Sequence, residues 1–222
     1  MRTMSRRRIL LTGFGPFPGV TDNPSARLVE TFASASSIAL HDCELSVEIL
    51  PTEWDAVGTL VPRLLKSMQP HVTIHFGVSR QVRSLRIERR AHNRILPRGD
   101  AAGVLPSRRT IHVDGPAHLD STVVVQRLAA KLRERGVPAI TSAHAGSYLC
   151  NFVYYHSLSW AMSRDAAGHV LFVHIPLARS DGGLIEAADL LRGAETIVNF
   201  MLSASHENQI PTEHVHIASR GR

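Results

Sequence analysis

Apolar and polar positions alternate between two periods along this chain. Arg8-Ile9-Leu10-Leu11-Thr12-Gly13 is a short apolar run ended by glycine, the pattern of a buried strand. A loop dense in glycine and proline follows, Phe14-Gly15-Pro16-Phe17-Pro18-Gly19. Asn23-Pro24-Ser25 predicts a helix to about Ala35, with Asn23 as its cap and Pro24 in the first turn, where no N–H is needed. Ser46–Leu50 alternates like a strand and ends at Pro51-Thr52. Residues 55–68 carry Val57, Leu60, Val61, Leu64, Leu65 and Met68 at helical spacing. Residues 71–78 and 85–88 read as strands. Residues 92–116, rich in Gly, Pro and charge, read as one long irregular connection, and so long a loop usually serves function. Asp120-Ser121-Thr122 predicts a helix to about Arg135, closed by Gly136 and Pro138. Then follow a strand at 139–143, a helix at 150–163, a strand at 169–175 and a last helix at 183–206 with an apolar stripe from Leu184 to Leu202.

Strands that alternate with helices predict an α/β fold: a single-domain, three-layer α/β/α sandwich around a twisted sheet, spanning residues 1–222. Residues 1–7 read as a basic tail and 207–222, which lack apolar periodicity, as a mobile one. Composition agrees with a globular chain: 44% hydrophobic and 20% charged residues over 222 positions. No apolar run approaches the ~20 residues of a membrane span, so no membrane partner is expected. The N-terminal apolar stretch stops at Thr12-Gly13, short of the ~7–15 residues of a secretory core, which leads to the expectation of a cytoplasmic protein with reduced thiols. Two cysteines, Cys43 and Cys150, exclude a disulfide framework and an all-cysteine zinc site.

The charge is +6 (25 Lys+Arg against 19 Asp+Glu). Arginines gather at Arg2, Arg6, Arg7 and Arg8 and again between Arg80 and Arg98. No aromatic residue lies between Arg80 and Arg98 to stack a base, so nucleic acid is not the expected partner. A solvated basic face, or a site for an anionic small molecule, accounts for them as well. His206-Glu207 and His214-Val215-His216 invite a metal reading, but they fall in or beside the expected tail without defined geometry, and no metal is expected. Cys43, in His41-Asp42-Cys43-Glu44, precedes a strand and reads as structural.

Cys150 opens a predicted helix after a strand and a flexible Gly146. A thiol there feels the positive end of the helix dipole and free backbone N–H groups, which favour the reactive thiolate and can hold an oxyanion. The competing reading is a small buried hydrophobe. A thiolate nucleophile needs a base, and the base an orienting group. His174 ends the apolar strand Val170-Leu171-Phe172-Val173-His174-Ile175, and sites gather at the carboxyl ends of strands in open α/β sheets. Glu88, in Leu85-Arg86-Ile87-Glu88-Arg89-Arg90, is the candidate carboxylate; the competing reading is an exposed strand Glu paired with Arg86 or Arg90.

Taken in order, Thr12-Gly13-Phe14-Gly15-Pro16-Phe17, Asn23-Pro24-Ser25, Glu88-Arg89 with Asn93, Ala145-Gly146-Ser147-Tyr148-Leu149-Cys150-Asn151 and Phe172-Val173-His174-Ile175-Pro176 resemble the pyroglutamyl peptidase I family of cysteine peptidases. The resemblance covers about Ile9 to Leu177. It implies a phosphorylase/hydrolase-like α/β/α sandwich around a mixed sheet and a triad of Cys150 as nucleophile, His174 as base and Glu88 as orienter. It also implies a pocket for the five-membered lactam of an N-terminal pyroglutamyl peptide, lined by Phe14, Phe17, Asn23, Thr52, Val78, Tyr148 and Leu149. Neither metal nor cofactor is implied, and a homo-oligomer, tetramer or dimer, is. Gly77-Val78-Ser79-Arg80 departs from the family's Gly-Gln-rich loop, and Arg90 and His92 stand where it has apolar residues. These departures leave open a thiol hydrolase of another small amide, or a non-catalytic small-ligand-binding protein, on the same scaffold. Arg94 lies near a family arginine position in a loop that looks shortened.

Overall fold

The computed structural model describes residues 6–35, 43–164 and 168–207. The strands are β1 (Arg7–Phe14), β2 (Cys43–Leu50), β3 (Val72–Val78), β4 (Leu85–Glu88), β5 (Arg90–His92), β6 (His118–Asp120), β7 (Ala139–Ser142) and β8 (His169–Ile175). The helices are α1 (Pro24–Ser34), α2 (Trp54–Met68), α3 (Val125–Glu134), α4 (Leu149–Met162) and α5 (Ala187–Glu207). Six strands form one mixed sheet in the order β2-β1-β3-β8-β4-β7. The first four are mutually parallel, β4 runs antiparallel to β8, and β7 runs parallel to β4.

Period-2 alternation sorts the central strands onto two faces. Ile9, Leu11, Ile74, Phe76, Leu171 and Val173 face α1, α3 and α5. Leu10, Val170 and Phe172 face α2 and α4, packing with Val57, Leu65, Val153 and Tyr154. Both faces are covered, so the central strands read as continuous apolar runs rather than alternating ones. Three layers result, α/β/α. Asn23 caps α1 as expected: its Oδ1 accepts from the Ser25 N–H at 3.1 Å, with Pro24 in the first turn.

Four boundaries depart from the sequence reading. The strand expected at Ser46 begins at Cys43, because Arg7 to Ile9 offer parallel partners to residues 43–45. Residues 90–92 and 118–120, which bracket the stretch read as irregular, pair in a small antiparallel ladder that the sequence reading did not include. That ladder, and the Thr122 hydroxyl accepting from the Val170 N–H at 2.8 Å, hold 118–122 extended, so α3 starts at Val125 rather than Asp120. The last helix starts at Ala187 rather than Gly183. Gly182 adopts φ +82°, and a side chain at Gly183 would place its first carbon 1.8 Å from the Leu177 carbonyl oxygen. Of the expected tails, residues 1–5 and 208–222 lie outside the described residues, but Arg7 opens β1, pairs with Cys43 and donates from Nη1 to the Leu202 carbonyl at 3.0 Å, and Glu207 ends α5. His41, Asp42, His214 and His216 also lie outside the described residues, as do the side chains of His206 and Glu207. Among the described residues, no group of three His, Cys, Asp or Glu is placed to hold a metal ion, and no helix is long and apolar enough to cross a membrane.

One polar bridge crosses the core between the sheet and α4. His75 on β3 sits between the Thr12 hydroxyl (2.7 Å) and the Ser157 hydroxyl (2.8 Å), with no solvent exposure. Burial drives its pKa down from 6.5 to about 3. Burial also lowers His156, with help from neighbouring His112, to about 4. Above pH 6.5 both rings are neutral folded or unfolded. Below it the unfolded chain takes up protons that the fold refuses, so stability falls toward acid by up to ~1.4 kcal/mol per pH unit for each ring. Urea unfolding at about pH 7.5 and about pH 5 is therefore expected to give a clearly lower midpoint at the acid value; equal midpoints would contradict the burial of these rings.

Candidate active site

A cavity of about 380 Å³ opens where β1, β3 and β8 end and α4 begins, within the size range of small-ligand sites. All nine pocket and thiol-base residues singled out in the sequence line it: Phe14, Phe17, Asn23, Thr52, Val78, Tyr148, Leu149, Cys150 and His174. Glu88 does not. It lies behind His174 with no exposed surface.

Strand register explains that placement. β4 and β8 pair antiparallel, with Arg86 opposite His174 and Glu88 opposite Phe172. Residues two apart on a strand share a face, so Arg86, Glu88, Phe172 and His174 all point to the α4 side, and Glu88 is the diagonal neighbour of His174. The Glu88 Oε1 lies 2.7 Å from His174 Nδ1. A bond that short to a carboxylate assigns the proton to Nδ1 and leaves Nε2 with the free lone pair. The Arg86 Nε donates to the same Oε1 at 2.7 Å, and its Nη2 comes within 3.3 Å of the imidazole Nδ1. The expected alternative, an exposed Glu88 paired with an arginine, is half met: Arg86 is its partner, but the carboxylate is buried and also binds His174. Arg90 instead grips Asp120. The Tyr154 hydroxyl donates to the Glu88 carbonyl at 2.9 Å and fixes the strand from below.

Cys150 stands in the first turn of α4. The first intrahelical bond comes from the Phe152 N–H to the Tyr148 carbonyl at 3.0 Å, and Tyr148 supplies no side-chain cap. The earlier N–H groups of the turn are thus left for a ligand at the mouth of the cavity. No hydrogen bond joins the thiol to His174 among the described residues. The expected thiolate-favouring environment is not what the surroundings give. Burial first, and the Glu88 charge second, push the thiol up to about 12; a backbone hydrogen bond and Arg86 only partly oppose them. Desolvation outweighs the helix terminus here, and the unliganded thiol is protonated at neutral pH.

Asn23 and Thr52 line the cavity, but their polar atoms are committed to the Phe14–Phe17 loop. The Asn23 Nδ2 donates to the Gly15 carbonyl at 2.9 Å, its Oδ1 accepts from Ser25, and the Thr52 hydroxyl donates to the Pro16 carbonyl. Their effect on a ligand is therefore exerted through the position of the two phenylalanines.

Sequence reasoning missed Asp100 and the role of Gly77, while Arg86 entered only as a competing partner of Glu88 and Arg98 only as a member of the basic cluster. Asp100 organises the long connection: its Oδ2 accepts from the Trp54 N–H, and its Oδ1 from the Ala102 and Val104 N–H groups. Arg98, beside it, lies over the Tyr148 ring at 5.3 Å and lines the cavity. Arg94, by contrast, does not line it; its carbonyl accepts from Asn151 Nδ2. The available signal was an acidic residue beside glycines in an apolar-poor loop, too common to single out.

The family comparison is consistent with this geometry. The pyroglutamyl peptidase family matches residues 7–186. The chain belongs to the pyroglutamyl peptidase family. This is a family of cysteine peptidases. The chain is similar to the pyrrolidone-carboxylate peptidase of Pyrococcus furiosus, at 31% identity over 170 residues that span 76% of this chain and 80% of that one. Human pyroglutamyl-peptidase 1 is 30% identical over 211 residues, 88% of this chain and 96% of the relative. Among solved structures, a mutant pyrrolidone carboxyl peptidase of Pyrococcus furiosus superposes with a TM-score of 0.81 at 26% identity, covering 89% of this chain and 99% of its own. The enzyme from Thermococcus litoralis gives 0.82 at 24% identity, covering 91% and 96%.

In this pyroglutamyl peptidase family member, Gly77 sets how close the thiol comes to the sheet. A β-carbon there would lie 2.8 Å from Phe172 Cζ and 3.1 Å from the Cys150 Sγ. Gly77→Ala is expected to force ring and sulfur apart at a cost of about 1–3 kcal/mol. Chemical denaturation reads it, and a stability equal to wild type would contradict the contact.

Proposed function

We propose that this protein is a cysteine exopeptidase that hydrolyses the amide bond after an N-terminal pyroglutamyl residue, and that it acts as one peptidase domain. The observation that supports it most is the buried Glu88 carboxylate bound to Nδ1 of a histidine that shares a cavity with Cys150. It leaves Nε2 as a base beside a thiol, the arrangement of nucleophile, base and orienter that acyl transfer requires.

The apolar wall made by Phe14, Phe17, Val78 and Leu149 suits a flat lactam ring. The ring's exocyclic carbonyl then faces Cys150. Because the resting thiol is protonated, attack and proton transfer proceed together: Sγ forms a bond to the carbonyl carbon as His174 Nε2 takes the thiol proton. The imidazolium is stabilised by the Glu88 carboxylate, whose Oε1 also accepts from Arg86. The oxyanion is held by the uncapped N–H groups at the start of α4. His174 returns the proton to the leaving amine, the C–N bond breaks, and a pyroglutamyl thioester remains on Cys150. Water, deprotonated by His174, attacks the thioester carbon; pyroglutamic acid leaves and the thiol is restored. The residues named carry every step without a metal or cofactor.

We further infer a homo-oligomer, in line with the family resemblance, from the exposed apolar side chains Leu96, Val104, Leu105 and Val113 on the connection between β5 and β6. A cytoplasmic location fits two free cysteines.

The deciding assay is release of a chromogenic amine from its pyroglutamyl amide. Wild type is expected to cleave it and to be silenced by iodoacetamide. Cys150→Ser is expected to lose roughly 10³-fold or more in kcat/KM, and Glu88→Gln roughly 10²- to 10⁴-fold. Turnover undiminished in the serine variant would remove Cys150 from the mechanism.

A further inference from the structure

The solvent-facing part of the cavity lining consists of Pro18, Arg80, Gln81 and Arg98. Two of these four are arginines, and no carboxylate among the described residues pairs with either. The acidic groups nearby are already engaged. Asp100 is buried and accepts three backbone N–H groups. Glu88 is matched by Arg86 deeper in the site. The rim therefore carries uncompensated positive charge beside the apolar wall of Phe14, Phe17, Val78 and Leu149.

Arg98 is also held in place. Its carbonyl accepts from the Trp54 indole N–H at 3.1 Å, its own N–H bonds to Leu96 at 2.8 Å, and its guanidinium rests on the Tyr148 ring. A fixed, weakly hydrated guanidinium with free N–H donors is suited to a planar carboxylate. Arg80 stands on the other contributing segment, just past the end of β3.

On the proposed reading, the ring lies against the apolar wall and the scissile carbonyl at Cys150. The rest of the peptide must then leave through the rim. We infer that this rim selects peptides whose second residue, directly after the pyroglutamyl group, carries a side-chain carboxylate, with Arg80 and Arg98 as the specificity-determining residues. This rests on the peptidase reading of the same cavity and adds the class of peptide that it prefers.

The test compares kcat/KM for pyroglutamyl-Glu-amide, pyroglutamyl-Gln-amide and pyroglutamyl-Lys-amide. Amidation leaves the second side chain as the only carboxylate. Two partly exposed guanidinium contacts predict about a tenfold advantage of Glu over the isosteric Gln, with Lys below both. The advantage shrinks at high salt because the contacts are exposed. In the Arg80→Gln/Arg98→Gln double variant the Glu-to-Gln ratio is expected to fall toward one. Equal rates for Glu and Gln peptides in wild type, or a ratio unmoved in the double variant, would overturn the inference while leaving the peptidase reading intact. If none of the three is cleaved, the peptidase reading fails, and calorimetric binding of the same amides to wild type decides the rim separately. Tighter binding of the Glu amide that the double variant loses upholds it, and equal binding overturns it.

Discussion

The site depends on one interaction, the 2.7 Å bond between a fully buried carboxylate of Glu88 and the Nδ1 of His174. A carboxylate without exposure is costly unless its charge is met. Here Arg86 and His174 share one oxygen, while the other has no hydrogen-bond partner among the described residues. That imbalance makes the carboxylate hungry for positive charge. It lies against the ring that carries positive charge once the base has taken the thiol proton. It also holds the ring in one tautomer. The same negative charge pushes the thiol up, so the device that activates the base makes the isolated nucleophile less acidic. Proton transfer coupled to attack reconciles the two.

Much of the remaining structure positions this pair. The change from parallel to antiparallel pairing at β8–β4 brings Glu88 diagonal to His174. Gly77 removes the side chain that would hold α4 and its thiol away from β3. Asn23 and Thr52 restrain the loop that carries Phe14 and Phe17 by binding its carbonyls. Asn151, next to the thiol, accepts from the His92 N–H and donates to the His92 and Arg94 carbonyls, tying the nucleophile's helix to the β5 segment. Asn93 does the same for residues 111–115 of the connection.

The layered fold was legible from period alone, because β1, β3 and β8 are buried on both faces and the helices show clear stripes. Cys150 and His174 were legible as residues at element ends, the places where a chain of this class exposes chemistry. Glu88 was not legible from its spacing. Its environment depends on register with a strand 86 residues away, and no local pattern encodes that pairing. The resemblance to known peptidases supplied it. The long connection is irregular, as its composition indicated, but what orders it was not legible, because that comes from side chains of Asn93, Asp100 and Asn151 that bind backbone groups and not from any periodic pattern. The protonation of the thiol was misjudged for a related reason: sequence shows the helix start but not the depth at which it is buried.

The most direct measurement of the account is the covalent state of the enzyme during turnover. Acid quenching of wild-type protein saturated with a pyroglutamyl amide, followed by peptide mapping by mass spectrometry, should find the pyroglutamyl acyl group as a thioester on Cys150. Product accumulating with no acyl group trapped on the protein, or with the group on another residue, would contradict it.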